Sequence, residues 1–299
     1  MTPLRQKMEA DLRLRNLADS TQRQYLWCIA AYARHFGRSP DKLGADEVRA
    51  FLLHLVALGR ASATRVVYHA ALLFLYVQTL GRPEVMATVP RPRVRTTDPR
   101  RPLTREEVAA LLEAAVPSPF TYTLVATLLA TGLRVSEACR LQIDDIDSRS
   151  GMIHVRQGKG SKPRSVKLGD RHLRLLRRYW VVERPQGPWL FPAQRLVAPG
   201  VVDPEHRWAP RPVSTDVVRN RLDALTRRAG LQWRVKPHDL RRTYGLAVAK
   251  TAGILVASKL LRHHDPRITA KVYAPLGVED LRTAAEEVGG GKVLPMKRP

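Results

Sequence analysis

The sequence predicts a mainly α protein with a small antiparallel β-sheet: an N-terminal helical bundle joined to a C-terminal α+β domain. Three observations predict it. The chain has 299 residues, about two domains' worth, each long enough to bury its own core. Residues 4 to about 80 read as all-helical, with apolar side chains three and four apart and helices ending at Gly37, Gly59 and Gly81. In the second half, one pair of strand-like runs interrupts otherwise helical patterning.

In the first half, Ser20 is expected to cap a helix with Tyr25, Leu26, Ile29, Tyr32, Ala33 and Phe36 on one side, ending at Gly37. Asp46 begins another, with Val48, Phe51, Leu52 and Leu55 on its stripe and Gly59 at its end. Ser62 begins a third, running through Val66, Leu73 and Val77 to Gly81. Four such helices with short turns make a bundle over residues 1–82, and their apolar stripes read as core. Residues 83–102 read as an extended basic linker, with Pro83, Pro90, Pro92, Pro99 and Pro102 among arginines. Its charge suits a strap along a phosphate backbone; a solvated spacer is the plain alternative.

Residues 103–299 read as the second domain. Thr104 and Glu107 make a capping-box pattern ahead of Val108, Leu111 and Leu112. A helix is expected at about 120–130, then a turn into another helix through TGLRVSEACRLQ. The runs MIHVR (152–156) and RSVKL (164–168) are joined by QGKGSKP, a hairpin signal. Helices are expected at about 170–183, 214–229, 238–252 and 254–262, with a Pro-rich surface stretch and a short WLF strand within 184–212. A short helix and a loose tail follow Val278.

The charge narrows the partners. Fifty-one Lys+Arg against 27 Asp+Glu give +24, which fits a polyanion. Residues 1–99 hold 15 basic against 8 acidic residues and the remainder 36 against 19, so both halves are basic, as a clamp on double-stranded DNA requires. Aromatics at 6% show no stacking pattern for single strands. Cys28 and Cys139 are too few for a disulfide framework or a zinc site. The N-terminus has no apolar signal core, and VVYHAALLFLYV (66–77) is too short to span a bilayer. The expectation is a reduced, cytoplasmic protein without membrane association.

Four fragments carry the chemistry: TGLRVSEA (131–138), GKG (158–160), HDLRRTYG (238–245) and RHHDPRITAKVYAPL (262–276). Singly, each has a plain reading. Arg134 could pair with Glu137, Lys159 could be a solvated hairpin charge, His238 could bond backbone at a helix start, and Tyr273 could be a core aromatic. Together, two arginines, a lysine and two histidines suit one task, holding a phosphodiester while negative charge builds on its oxygens. A phenol beside them supplies a nucleophile. With no cluster of metal-ligand type in the sequence, neither metal nor cofactor is expected, and the cations take the part Mg²⁺ plays in nucleases.

Along nearly its whole length the chain resembles the tyrosine recombinases, the family of phage integrases, Xer proteins, Cre and integron integrases. By that resemblance the bundle is a SAM-like core-binding domain and residues 103–299 are catalytic. TGLRVSEA supplies Arg134, with Glu137 buttressing it; GKG supplies Lys159; HDLRR supplies His238 and Arg241, one turn apart on a helix. RHHDPRITAKVY supplies a second histidine and the nucleophile Tyr273. Matching His263-His264-Asp265-Pro266 to the family's His-Ser-Asp-Pro favours His263, with His264 the alternative, and Arg262 stands where the family has glycine. The resemblance implies a metal- and ATP-independent recombinase working through a 3′-phosphotyrosine, and a homotetramer on two DNA sites. The tail helix GVEDLRTAAEEV docks either on its own domain or on a neighbouring protomer. Two other readings fit the residues: a type IB topoisomerase, and a non-catalytic, site-specific DNA-binding protein on the same scaffold.

Overall fold

The computed structural model describes residues 2–94, 101–156, 163–198, 201–203 and 207–261. It divides into two compact units, Met1–Asp98 and Pro99–Pro299.

In the first unit, α1 (Pro3–Leu14) starts behind Thr2, whose hydroxyl accepts from the Arg5 N–H at 3.4 Å. α2 (Asp19–Phe36) is preceded by Ala18, so Ser20 lies inside the helix and caps nothing. Asp19 sets the start instead, placing a carboxylate at the positive end of the helix. Gly37, in the left-handed region at φ 61°, ends it. α3 (Ala45–Ala57) begins one residue before the expected Asp46, because the Glu47 carboxylate accepts from the Gly44 N–H at 2.8 Å. α4 (Ser62–Leu73) begins at Ser62 and widens into a π-helical turn over Phe74–Thr79.

The expected linker does not start at residue 83. α5 (Glu84–Ala87) is a further turn of helix, and Val85, Met86 and Val89 are buried in the bundle core. These three apolar side chains form one helical stripe. Pro83 stands ahead of the helix, where a missing N–H costs nothing, so the prolines bracket this turn without breaking it. In the same core the Tyr32 and Tyr76 hydroxyls meet at 3.1 Å, and Tyr76 donates on to the Pro40 carbonyl at 3.0 Å.

In the second unit, α6 (Arg105–Ala115) carries the expected capping box: Thr104 accepts from the Glu107 N–H at 3.2 Å, and Glu107 accepts from the Thr104 N–H at 2.9 Å. α7 (Pro119–Thr131) is the buried axis of this unit, with the Thr127 and Thr131 hydroxyls donating to carbonyls four residues back. Left-handed Gly132 ends it and α8 (Val135–Cys139) follows. The expected strands are present as β2 (Met152–Val155) and β3 (Arg164–Lys167), extended by β1 (Ile146–Asp147) into an antiparallel sheet of order β1-β2-β3. Its register pairs buried Ile153 with buried Val166.

α9 (Asp170–Glu183) precedes two ribbons, in which β4 (Pro192–Gln194) pairs with β7 (Trp208–Pro212) and β5 (Leu196–Ala198) with β6 (Val201–Val202). Residues 184–212 are therefore not simply a surface stretch. Phe191 and Trp208 are buried, 5.8 and 5.7 Å from the Phe120 ring centre. The WLF run is not a strand: Trp189 makes a single bridge to Gln142, and β4 starts after it. The bulk of its aromatic rings draws this Pro-rich stretch into the core. α10 (Thr215–Arg228), α11 (Pro237–Ala252) and α12 (Ile254–Leu261) complete the described unit, with α11 packed on both α7 and α12. No helix among the described residues is long and apolar enough to cross a membrane.

Candidate active site

Two helix starts and one strand converge beside the end of α7. At the first, Gly132 turns the chain at φ +59° with its α-carbon against the Tyr244 ring. Arg134 then stands just before α8. Its backbone N–H and its Nη1 both donate to Glu137, at 2.8 and 2.9 Å, fixing the backbone and the guanidinium with one carboxylate. The local pairing read from the sequence is therefore present, but Arg134 keeps 29% of its side-chain surface open. It is oriented by Glu137 without being used up.

Glu137 is buried at 4% exposure. Burial alone would raise its pKa, yet the Arg134 N–H and the Arg164 and Arg134 guanidinium charges hold it below the ordinary carboxylate value. The side chain of Arg164, at the start of β3, is buried as well, with its Nη2 on Glu137 and its Nη1 on the Leu260 carbonyl at 2.9 Å.

The second helix start is α11. Lys236 precedes it, Pro237 opens it, and the Asp239 carboxylate accepts from the Lys236 N–H at 2.9 Å. Thr243 anchors this turn by accepting from the Leu103 N–H at 2.9 Å. His238 and Arg241, three residues apart, fall on one face. Arg241 is 3% exposed, and its two terminal nitrogens donate to the carbonyls of Gly132 and Leu261. A buried guanidinium is tolerable only with such partners. These bonds join α11 to the turn that carries Arg134 and to the end of α12.

His238 keeps surface open to solvent and is nonetheless partly dehydrated. Its pKa is lowered, first by loss of hydration and then by the positive charges of Arg242, Arg241 and Arg134. Three of the six candidate residues, Arg134, His238 and Arg241, thus share one electrostatic site. Lys159, His263 and Tyr273, with Arg262 and His264, lie outside the described residues.

Two participants escaped the sequence reading. Arg164 looked like an ordinary strand charge, because its partner Glu137 is 27 residues away. Tyr244 sits within reach of the charges of Arg164 and Arg241, yet burial raises its pKa. Its ring serves as packing against Gly132. A separate cavity of about 730 Å³, lined by Met8, Leu26, Ile29 and Leu75 in the first unit, contains none of the candidate residues.

The chain is similar to known proteins over both units. The Phage integrase family matches residues 101–278, and its N-terminal SAM-like domain matches residues 4–84. A putative integrase/recombinase of Sinorhizobium fredii is 33% identical over 91% of this chain and 84% of its own length. Tyrosine recombinase XerA of Pyrococcus furiosus is 28% identical over 92% of this chain and 90% of its own. Among solved structures, a lambda integrase dimer bound to a core site aligns with TM-score 0.69 at 20% identity, covering 90% of this chain and 94% of that one. XerH recombinase bound to its palindromic difH substrate, in a post-cleavage complex, aligns with TM-score 0.67 at 20% identity, covering 92% and 82%. The family match spans more than half of the sequence and includes the turns that bring Arg134, His238 and Arg241 together: the chain belongs to the phage integrase family, the tyrosine recombinases.

Proposed function

We propose that the protein is a site-specific DNA recombinase that cuts and rejoins duplex DNA through a 3′-phosphotyrosine intermediate. The observation that carries this is the tie between Arg241 and Gly132, which sets the second arginine beside the turn presenting the first. Two guanidinium groups and an uncharged imidazole held in one field suit a phosphodiester whose charge grows during displacement.

In this reading Arg134 and Arg241 hold the non-bridging oxygens of the scissile phosphate, Arg241 exchanging a carbonyl partner for a phosphate oxygen when DNA binds. The Tyr273 oxygen attacks phosphorus in line, the bond to the 5′-oxygen breaks, and Lys159 protonates that leaving oxygen. His238, its pKa lowered, is neutral at pH 7 and can take the phenolic proton. His263 donates a further hydrogen bond to the phosphate. Attack by a 5′-hydroxyl on the phosphotyrosine reverses the chemistry on the same or another strand, so the sequence of steps consumes neither ATP nor metal. Net charge of +24 supports duplex binding. A homotetramer is proposed as the working assembly, by analogy with the lambda integrase tetramer bound to a Holliday junction. Action on DNA fits a cytoplasmic location at the nucleoid.

The test uses duplexes selected for binding from a randomised pool and nicked so that cleavage traps the covalent adduct. Wild type and Tyr244→Phe are expected to form adduct. Tyr273→Phe is expected to bind with unchanged Kd and form none; adduct from that variant overturns the assignment. Relaxation of supercoiled DNA lacking a selected site would favour topoisomerase chemistry instead.

A further inference from the structure

We infer that Arg164 is a positioning residue for Arg134, acting through the carboxylate of Glu137. The inference rests on the recombinase reading and adds to it a residue that does not touch the phosphate. β3 alternates as a half-buried strand should, with Val166 inward and Ser165 and Lys167 exposed. Arg164, at its start, turns a charged side chain into the protein until only 5% of it is exposed. A charge is placed there at a cost, so its partners matter.

Those partners are specific. Glu137 Oε2 receives the Arg164 Nη2 and also the Arg134 backbone N–H at 2.8 Å, while Oε1 receives the Arg134 Nη1 at 2.9 Å. One carboxylate therefore has an oxygen fixed from β3 and an oxygen directed at Arg134. The last torsion of a glutamate is broad, and with donors from one side only, its plane would swing and carry Arg134 with it. The fork of Arg164 removes that freedom, because its other nitrogen is held by the Leu260 carbonyl at 2.9 Å. Leu260 lies at the end of α12, next to the Leu261 carbonyl that receives Arg241. Arg164 thus ties the carboxylate that aims one arginine to the helix end that receives the other. A planar guanidinium can address both partners at once, whereas an ammonium on a flexible stem has no fixed fork.

Single-turnover adduct formation on the selected nicked duplex, at saturating protein, separates this role from DNA binding. Arg164→Met is expected to slow adduct formation by about 10²-fold, the cost of a small misplacement of a reacting group, with Kd for the duplex unchanged. Arg164→Lys is expected to recover part of that loss. In a Glu137→Gln background, Arg164→Met should cost far less, since the path it acts through is already weakened. Thermal melting reports whether each variant is folded. If the Met variant does not fold, the Lys variant carries the test, with a rate below wild type at unchanged Kd. Wild-type rates in the folded variants, or an equal cost of Arg164→Met in both backgrounds, overturn the assignment alone. Failure of the unaltered protein to form adduct overturns the recombinase reading and this role with it.

Discussion

Replacing Gly132 with alanine tests the packing on which the site is built. The added Cβ would lie 2.2 Å from Tyr244 Cδ1 and 2.8 Å from Cε1, where ordinary contact begins near 3.4 Å. The ring would have to yield by about 1.2 Å, although α11, which carries it, is packed against α7 and α12. Left-handed backbone at φ +59° adds its own penalty for a residue with a Cβ. Backbone strain and overpacking together come to about 2–5 kcal/mol. Because the Gly132 carbonyl also receives Arg241, the same displacement should separate the two arginines. Urea unfolding should show the lost stability, and adduct formation on the nicked duplex should fall further than DNA binding. Adding Tyr244→Ala should relieve the clash, so that Gly132→Ala costs only the backbone part in that background. An unaltered urea midpoint for Gly132→Ala, or an identical cost with and without the Tyr244 ring, would refute the reasoning.

One further prediction concerns the same contacts and another a buried histidine beside α7. Arg241→Lys keeps the charge but cannot bridge the Gly132 and Leu261 carbonyls with a planar fork; adduct formation should drop by about 10²–10³-fold while the duplex is still bound in a gel-shift measurement. His172, buried beside the Thr127 hydroxyl at 3.1 Å, has its pKa lowered to about 4 by loss of hydration. Its folded value lies below the unfolded one, so its contribution is complete above about pH 6.5 and is lost as pH falls toward 4, by roughly 3 kcal/mol in all. Urea midpoints measured across that window should decline less steeply for His172→Gln than for wild type, and parallel declines would exclude His172 as the cause.

Much of the site was legible because its parts are local. Arg134 with Glu137, and His238 with Arg241, are each contained within one turn of helix, and glycine, proline and carboxylates mark where those turns begin. The same locality explains the capping box at Thr104 and the strand pair around 152–168. The misses have a common cause. Proline density around residue 83 hid a turn whose burial of Val85 and Met86 against the bundle outweighs local signals. Phe191 and Trp208 are core residues because distant aromatics meet them in space, Phe120 against both rings and Tyr179 against Phe191.

By itself the sequence determined the helical bundle, the mixed second unit, the strongly basic character and the residue types suited to phosphate chemistry, because periodicity, capping and charge act over a few residues. Only the tertiary structure decided that Arg241 reaches across 109 residues to Gly132, that Arg164 and Arg134 share Glu137, and that Tyr244 fills the space left by a missing side chain. Such contacts depend on how helices pack, and burial makes them strong: away from water, each guanidinium must find an oxygen, and the fold determines which one.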